Sequence, residues 1–388
     1  MDGLRVDGGG GPPLRSISHL RVSEAAVEAD LHRWLAAALT PQPMPSDTSS
    51  REIVRQAIRC AGPPRLPYSF VEPVRSDFFE LSELERLLDR LELLDLAGDR
   101  PPGSLYRDAW GVGYQAVDGP FDHAVDHPLA DLGRLDADAL SCLPDVAAPE
   151  RLQRIADAVE RAQGAGKYVV AADPVLLFER LHALVGFETL MTAPWKQRAG
   201  LERLLERLTD LTLRSIEAHG KLGGVDAFMT WQDFAHEAQM VVSPASFREI
   251  YAPHLARMVK AAHGAGMHFI WHCCGQVAEL IPEMIAMGVD VVQLDQPRLL
   301  GHRRLAEEFG GRICFWNAVD TQWSANGNLT AADLRAEVAA MTEPFHPLGG
   351  GFMARHYPQP GAIGLSRRFH EITSRAFLAC QVPQRASS

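Results

Sequence analysis

The chain has 388 residues, 46% hydrophobic and 22% charged, with 32 Gly and 26 Pro, a composition that fits a folded globular protein and excludes a disordered one. A formal net charge of −11 offers no attraction to a phosphate backbone, and no apolar stretch reaches the roughly 18 residues of a membrane helix. Neither nucleic acid nor a bilayer is therefore an expected partner, the expected location is cytoplasmic, and six cysteines in so long a chain do not make a disulfide scaffold.

In chain order, residues 1–48 read as a mobile tail carrying a short helix over Asp30–Leu39, followed by a stiff spacer at Pro41, Pro43 and Pro45. The folded domain is expected over residues 49–388, starting with a helix capped at Ser49-Ser50-Arg51-Glu52. Residues Arg65–Val71 are a candidate strand. Beyond residue 150, helical segments alternate with short β-branched or aromatic runs, each introduced by glycine. The six runs are Tyr168–Val170, Phe228–Thr230, His268–Ile270, Val291–Gln293, Ile313–Phe315 and Phe352–Met353. Glycine that ends a helix and turns the chain into a strand is what repeated αβ units require, so the expected fold class is α/β, a (β/α)₈ TIM barrel with an N-terminal helical extension. Each run meets a polar residue within a few positions: Asp173, Asp233, His272, Asp295, Asp320 and His356. A barrel collects its strand C-terminal ends on one face, so these residues are expected to converge on one cavity. One further early strand is required to close the ring and is not identifiable in the sequence.

Several motifs resemble those of the uroporphyrinogen decarboxylase superfamily in order and spacing. They are Arg51-Glu52-Ile53-Val54 with Pro64-Arg65-Leu66-Pro67, Asp108-Ala109-Trp110-Gly111, His127-Pro128-Leu129, Gly186-Phe187-Glu188, Ser243-Pro244, His272-Cys273-Cys274-Gly275, and Gly349-Gly350-Gly351-Phe352 leading to His356. The superfamily includes the decarboxylase of haem synthesis and cobalamin-linked methyltransferases. The decarboxylase carries an arginine-rich Met-Arg-Gln-Ala-Gly-Arg-Tyr segment for its acidic substrate; this chain has only Arg75 and Asp77 in that region. Conversely, His272-X-Cys274 is similar to the pair through which the methyltransferases hold zinc. Their third ligand, a cysteine after the last strand, is replaced in that neighbourhood by His356.

The resemblance thus implies a zinc-dependent methyltransferase with His272, Cys274 and His356 as metal ligands and a fourth position left for a small-molecule substrate. A corrinoid would sit on a separate partner protein, because the chain has no Asp-X-His-X-X-Gly run. Asp233, Glu237 and Asp320 are the candidate catalytic residues: Asp233 to orient a ligand or accept a proton, Glu237 to fill the open metal position, Asp320 to support the ligands. Strand alternation puts His272 and Cys274 on one face and Cys273 on the other. Read from the residues alone, the same side chains are also compatible with a hydrogen-bonded core histidine, buried cysteines and helix-capping carboxylates. Two other functions stay open, a decarboxylating lyase acting on a tetrapyrrole or other carboxylate, and a non-catalytic barrel that binds a small ligand. So does the oligomeric state, a homodimer included.

Overall fold

The computed structural model describes residues 32–42, 48–71, 74–82, 84–85, 101–118, 122–136, 139–140, 143–325, 328–358 and 360–380. Strand β1 (Tyr68–Val71) is followed by the hairpin strand β2 (Val74–Ser76) and by β3 (Phe78–Glu80); β4 (Leu105–Arg107), β5 (Gly113–Gln115) and β6 (His123–Asp126) form a separate antiparallel sheet. Then come β7 (Tyr168–Ala172), β8 (Ala227–Trp231), β9 (His268–His272), β10 (Val291–Gln293), β11 (Cys314–Ala318) and β12 (Phe352–Arg355), which are the six glycine-introduced runs. The main sheet has the order β2-β1-β12-β11-β10-β9-β8-β7-β3, parallel throughout apart from β2. Helices α1 (Ser50–Ile58), α2 (Pro149–Gly164), α3 (Leu177–Val185), α4 (Phe187–Lys196), α5 (Arg198–Leu222), α6 (Ala252–Gly264), α7 (Ile281–Met287), α8 (Ala331–Thr342) and α9 (Arg367–Ala379) accompany it. Among the described residues, no helix is long and apolar enough to cross a membrane.

The sheet becomes a barrel where β1 meets β3, and one residue makes the join. Asp77 donates its amide to Tyr68 O at 2.9 Å and accepts Tyr168 N at its carbonyl at 2.9 Å, bridging β1 to β7. Its fully buried carboxylate accepts both terminal nitrogens of Arg65, at 2.6 and 2.7 Å, the Tyr68 amide at 3.0 Å and the Ser50 hydroxyl. Strand β3 is the element that the sequence leaves unplaced. It has three residues, follows a hairpin rather than a helix, and is introduced by this aspartate instead of a glycine.

Closure sorts each strand into alternate faces. Phe78, Tyr168, Val170, Ala227, Met229, Ile270, Val291, Cys314, Trp316 and Met353 fill the axis, joined from below by Val54 and Ala57 of α1. The intervening residues, such as Val169, Phe228, Phe269, Val292, Phe315 and Phe352, pack outward in the much larger layer shared with the helices. Helix α1, capped by the Ser49 hydroxyl as the sequence indicates, therefore acts as the floor. It is pinned by Arg51 and Arg55 to the buried carboxylate of Asp226 at 2.7 and 2.8 Å. Close approach of the floor to the last strand requires Gly350, where a side-chain carbon would lie 2.8 Å from Cys60 Cα.

The short helix expected over Asp30–Leu39 is present at residues 32–38, and residues 32–42 pack against the barrel; residues 1–31 lie outside the described set. Ala38 is buried, and Trp34 packs its ring 5.1 Å from that of Phe79. Lys167, wholly buried and with its pKa pushed down to about 8 by that burial, donates to Thr40 O at 2.7 Å and Ser76 O at 2.6 Å. Truncation before Pro43 should therefore lower the melting temperature by more than about 5 °C, because it exposes an aromatic pair and removes a bond from a buried ammonium; an unchanged melting curve would show the segment to be energetically idle. Asp77→Ala should cost roughly 3–5 kcal/mol in urea unfolding, the usual penalty for leaving a buried guanidinium unpaired. A loss below about 1 kcal/mol would contradict its role as the closing residue.

Candidate metal centre

The C-terminal ends of β8 and β9 bring three ligand-type atoms together: a carboxylate oxygen of Asp233, a ring nitrogen of His272 and the sulfur of Cys274 all lie within 4.8 Å of one another. Alternation selects them. Met229 and Ile270 face the axis on these strands, so Asp233, His272 and Cys274, at even spacings beyond them, face it as well. Cys273 faces outward and is wholly buried in the helix-side layer, where desolvation keeps its thiol protonated.

His272 is oriented from behind. Gln293, its register partner on β10, takes Nδ1 of the ring at its amide oxygen, and the Gln293 amide donates from Nε2 to Asp295 at 2.7 Å. A carboxylate only accepts, so the chain of bonds fixes Gln293 with its oxygen toward the histidine and places the ring proton on Nδ1. The lone pair of Nε2 is thereby aimed at the cluster, 3.4 Å from Cys274 Sγ and 3.8 Å from Asp233 Oδ1. This is the arrangement that metal-binding histidines use.

The ligand loops are tied to each other. Asp233 Oδ1 accepts the Cys274 amide at 2.7 Å, Gln276 N donates to His236 O at 2.9 Å, and Gly275 N donates to Gln296 Oε1 at 2.7 Å. Gly275 has φ +82° and a side-chain carbon there would sit 2.6 Å from His236 O, so only glycine permits this approach.

Glu179 on α3 is the member that the sequence does not disclose. Its carboxylate accepts the Asp233 amide at 3.1 Å, and burial, with the Asp233 charge beside it, pushes its pKa up to about 7. The next residue, Arg180, pairs with Asp108 at 3.1 Å and lies 4.2 Å over the Trp110 ring, while His127 Nδ1 meets Ala183 O at 2.7 Å. The Asp108–Gly111 and His127–Leu129 motifs therefore brace α3, and with it Glu179. The Cys274 thiol is also driven up, by burial first and then by Asp233, Asp295, Glu179 and Glu237. The negative charge around the thiol suits a dication held by Asp233, His272 and Cys274.

Four further candidates stand elsewhere. His356 is the main correction. On β12 the axial positions are Met353 and Arg355, so His356 points outward; its ring packs 4.5 Å from Phe70 and 4.3 Å from His370, and the Ser374 hydroxyl lies 3.2 Å from Nε2. Burial, reinforced by His370, holds it neutral. Asp233 occupies the third corner in its stead. Asp320 caps the short helix Thr321–Ala325 by accepting Trp323 N at 2.9 Å and also accepts Arg298 N at 3.2 Å. Glu237 is exposed at the rim, where Gln322 donates to it at 2.6 Å. Asp173 likewise faces the helices, accepting from Thr230 at 2.7 Å.

The chain is thus an α/β barrel with a candidate metal centre of acid, imidazole and thiol at its C-terminal mouth. The family model for uroporphyrinogen decarboxylase (URO-D) matches residues 113–347, more than half of the chain, and the chain belongs to that family. Among solved structures, a methyltransferase from Methanosarcina mazei is 16% identical, with 85% of this chain and 98% of that one covered at a TM-score of 0.57, a likeness of fold. An endo-β-1,4-xylanase from Gloeophyllum trabeum is 9% identical, with 84% of this chain and 99% of that one covered at a TM-score of 0.41. No curated protein matches the sequence.

His356→Ala should cost about 2–4 kcal/mol in chemical denaturation, as for other buried rings, and leave zinc uptake by the folded protein unchanged. Loss of zinc from the folded variant would restore His356 as a ligand.

Proposed function

We propose that this chain is a zinc-dependent methyltransferase, with Asp233, His272 and Cys274 as the metal ligands and a corrinoid carried by a separate protein as methyl donor or acceptor. The convergence of those three side chains carries the reading. A His/Cys/carboxylate set suits zinc, and three protein ligands leave a fourth position for substrate. Bound zinc would supply Lewis acidity at that position, which helps an oxygen or sulfur part from its methyl group or attack one.

The rest falls to the chain. Gln293 and Asp295 hold the His272 tautomer. The Asp233 carboxylate orders the Cys274 loop through the backbone. Glu179, near half-ionised at neutral pH, is a proton store beside the cluster for a substrate thiol that must lose a proton or a leaving alkoxide that must gain one. Porphyrinogen decarboxylation fits less well. At the mouth of the barrel the guanidinium of Arg298 is already paired with Glu337 and Arg355 faces Glu80, whereas a polycarboxylate would need several such groups.

Metal uptake and turnover test this together. Zinc titrated into metal-free protein should bind about one per chain and release about one proton at pH 8, from Cys274. More should be released at pH 6: Glu179, with its pKa raised to about 7, is largely protonated there, and a nearby dication favours its ionised form. Asp233→Asn and Cys274→Ser should each lose most of the zinc, while Cys273→Ser retains it. With zinc bound, cob(I)alamin should be methylated by a thioether or methyl ether from a donor panel, followed by the change in corrinoid absorbance. Zinc binding without proton release, or full zinc retention in Cys274→Ser, would sink the ligand assignment.

A further inference from the structure

Across the barrel mouth from the ligand cluster stands Arg355, the last residue of β12. It is 5% exposed and lies 4.6 Å over the ring of Trp316, whose own ring is stacked 4.3 Å from Phe78 in the barrel axis. Its direction is fixed by the same alternation that turns His356 outward. Its only charged neighbour among the described residues is Glu80 at 3.3 Å, and that carboxylate also accepts the Ser69 hydroxyl at 2.9 Å. Nη1 of Arg355, the atom that faces Glu80, is buried and makes no aligned hydrogen bond among the described residues, so the pair is an ion contact without a well-directed N–H···O bond. A buried guanidinium N–H without an acceptor is costly, and a planar fork of donors is matched by a planar carboxylate.

The sheet register relates this group to the cluster. His272 pairs with Gln293, Val292 with Phe315, and Ala318 with Arg355. Alternation carried past the ends of β9 and β10 turns Cys274 and Asp295 to the axis, as Ala318 and Arg355 are on β11 and β12. Three strand steps separate the strand of Cys274 from that of Arg355 in the eight-strand ring, so both side chains open onto the mouth, with Trp316 beneath the guanidinium. Tyr357, two residues beyond Arg355, lies within electrostatic reach of both groups: burial pushes its phenol up, Asp295, Cys274 and Asp233 add to that, and Arg355 opposes it.

Taking the proposed methyl transfer as its basis, we infer that Arg355 anchors a carboxylate of the substrate, so that the molecule spans the mouth with its acid end on the guanidinium and its sulfur or oxygen at the His272–Cys274–Asp233 cluster. The substrate class is then a small organic acid carrying a thiol, thioether or methyl ether. One guanidinium, held only by the ion contact with Glu80, matches one carboxylate.

Calorimetric titration of 3-mercaptopropionate and of its amide decides this. Zinc-loaded wild type should prefer the acid by at least about tenfold, the scale of one charge-assisted bidentate pair. In Arg355→Gln the preference should fall below about twofold with the affinity for the amide unchanged. Glu80→Gln, which removes the competing carboxylate, should raise it. Since Arg355→Gln strands Glu80 and may not fold, the double variant Glu80→Gln/Arg355→Gln is measured beside it. An acid preference that survives in the double variant, or equal binding of acid and amide to wild type, overturns the assignment. Should wild type take up no zinc, the methyltransferase reading falls by itself; the same two ligands on the metal-free protein then judge Arg355, equal affinity or no binding of either refuting it.

Discussion

The carboxylate of Asp77 is the interaction on which the rest of the molecule depends. A sheet with open edges leaves its faces ambiguous, whereas a ring has an inside, and the side chain of Asp77 joins β1, the segment before it and the floor helix at the one seam that lacks a regular ladder. Once the seam is closed, odd and even positions of every strand acquire opposite fates. The composition of the mouth then follows: Asp233, His272, Cys274, Asp295 and Arg355 look inward, and Asp173, Cys273 and His356 do not.

That rule also explains what the sequence could and could not convey. The six glycine-led strands and the Ser49 cap were legible because each has a local cause, a helix stop or a hydroxyl in reach of an amide. The inward placement of His272 and Cys274 was legible from their spacing of two. His356 was misplaced because proximity to a strand end was given weight that belongs to parity; counting from the axial residue Met353 would have chosen Arg355. Strand β3 and Glu179 were hidden for a different reason. Each depends on a long-range partner, Tyr68 and Tyr168 for the segment around Asp77, the Asp233 amide for Glu179, and no periodicity announces such a partner.

Electrostatically, the mouth is divided. One side holds Asp233, Asp295, Glu179 and a thiol that burial, with their charges, keeps protonated; the other holds a buried guanidinium resting on an indole. Neither half is optimised for stability, because acids crowd a thiol on one and a buried guanidinium makes no aligned hydrogen bond through Nη1 on the other.

The stitching of the β8 and β9 loops bears on which ion such a surface prefers. Because Asp233, Cys274, Gly275 and Gln276 are tied through backbone amides, the bite of the ligand set, meaning the span its donors impose on an ion, is inherited from loop geometry and is stiff. A stiff small bite holding nitrogen and sulfur discriminates against large, oxygen-seeking ions such as calcium and favours compact, tetrahedral ones. In the proposed centre, ion preference would then depend on main-chain contacts around Gly275 as well as on the nitrogen and sulfur donors themselves.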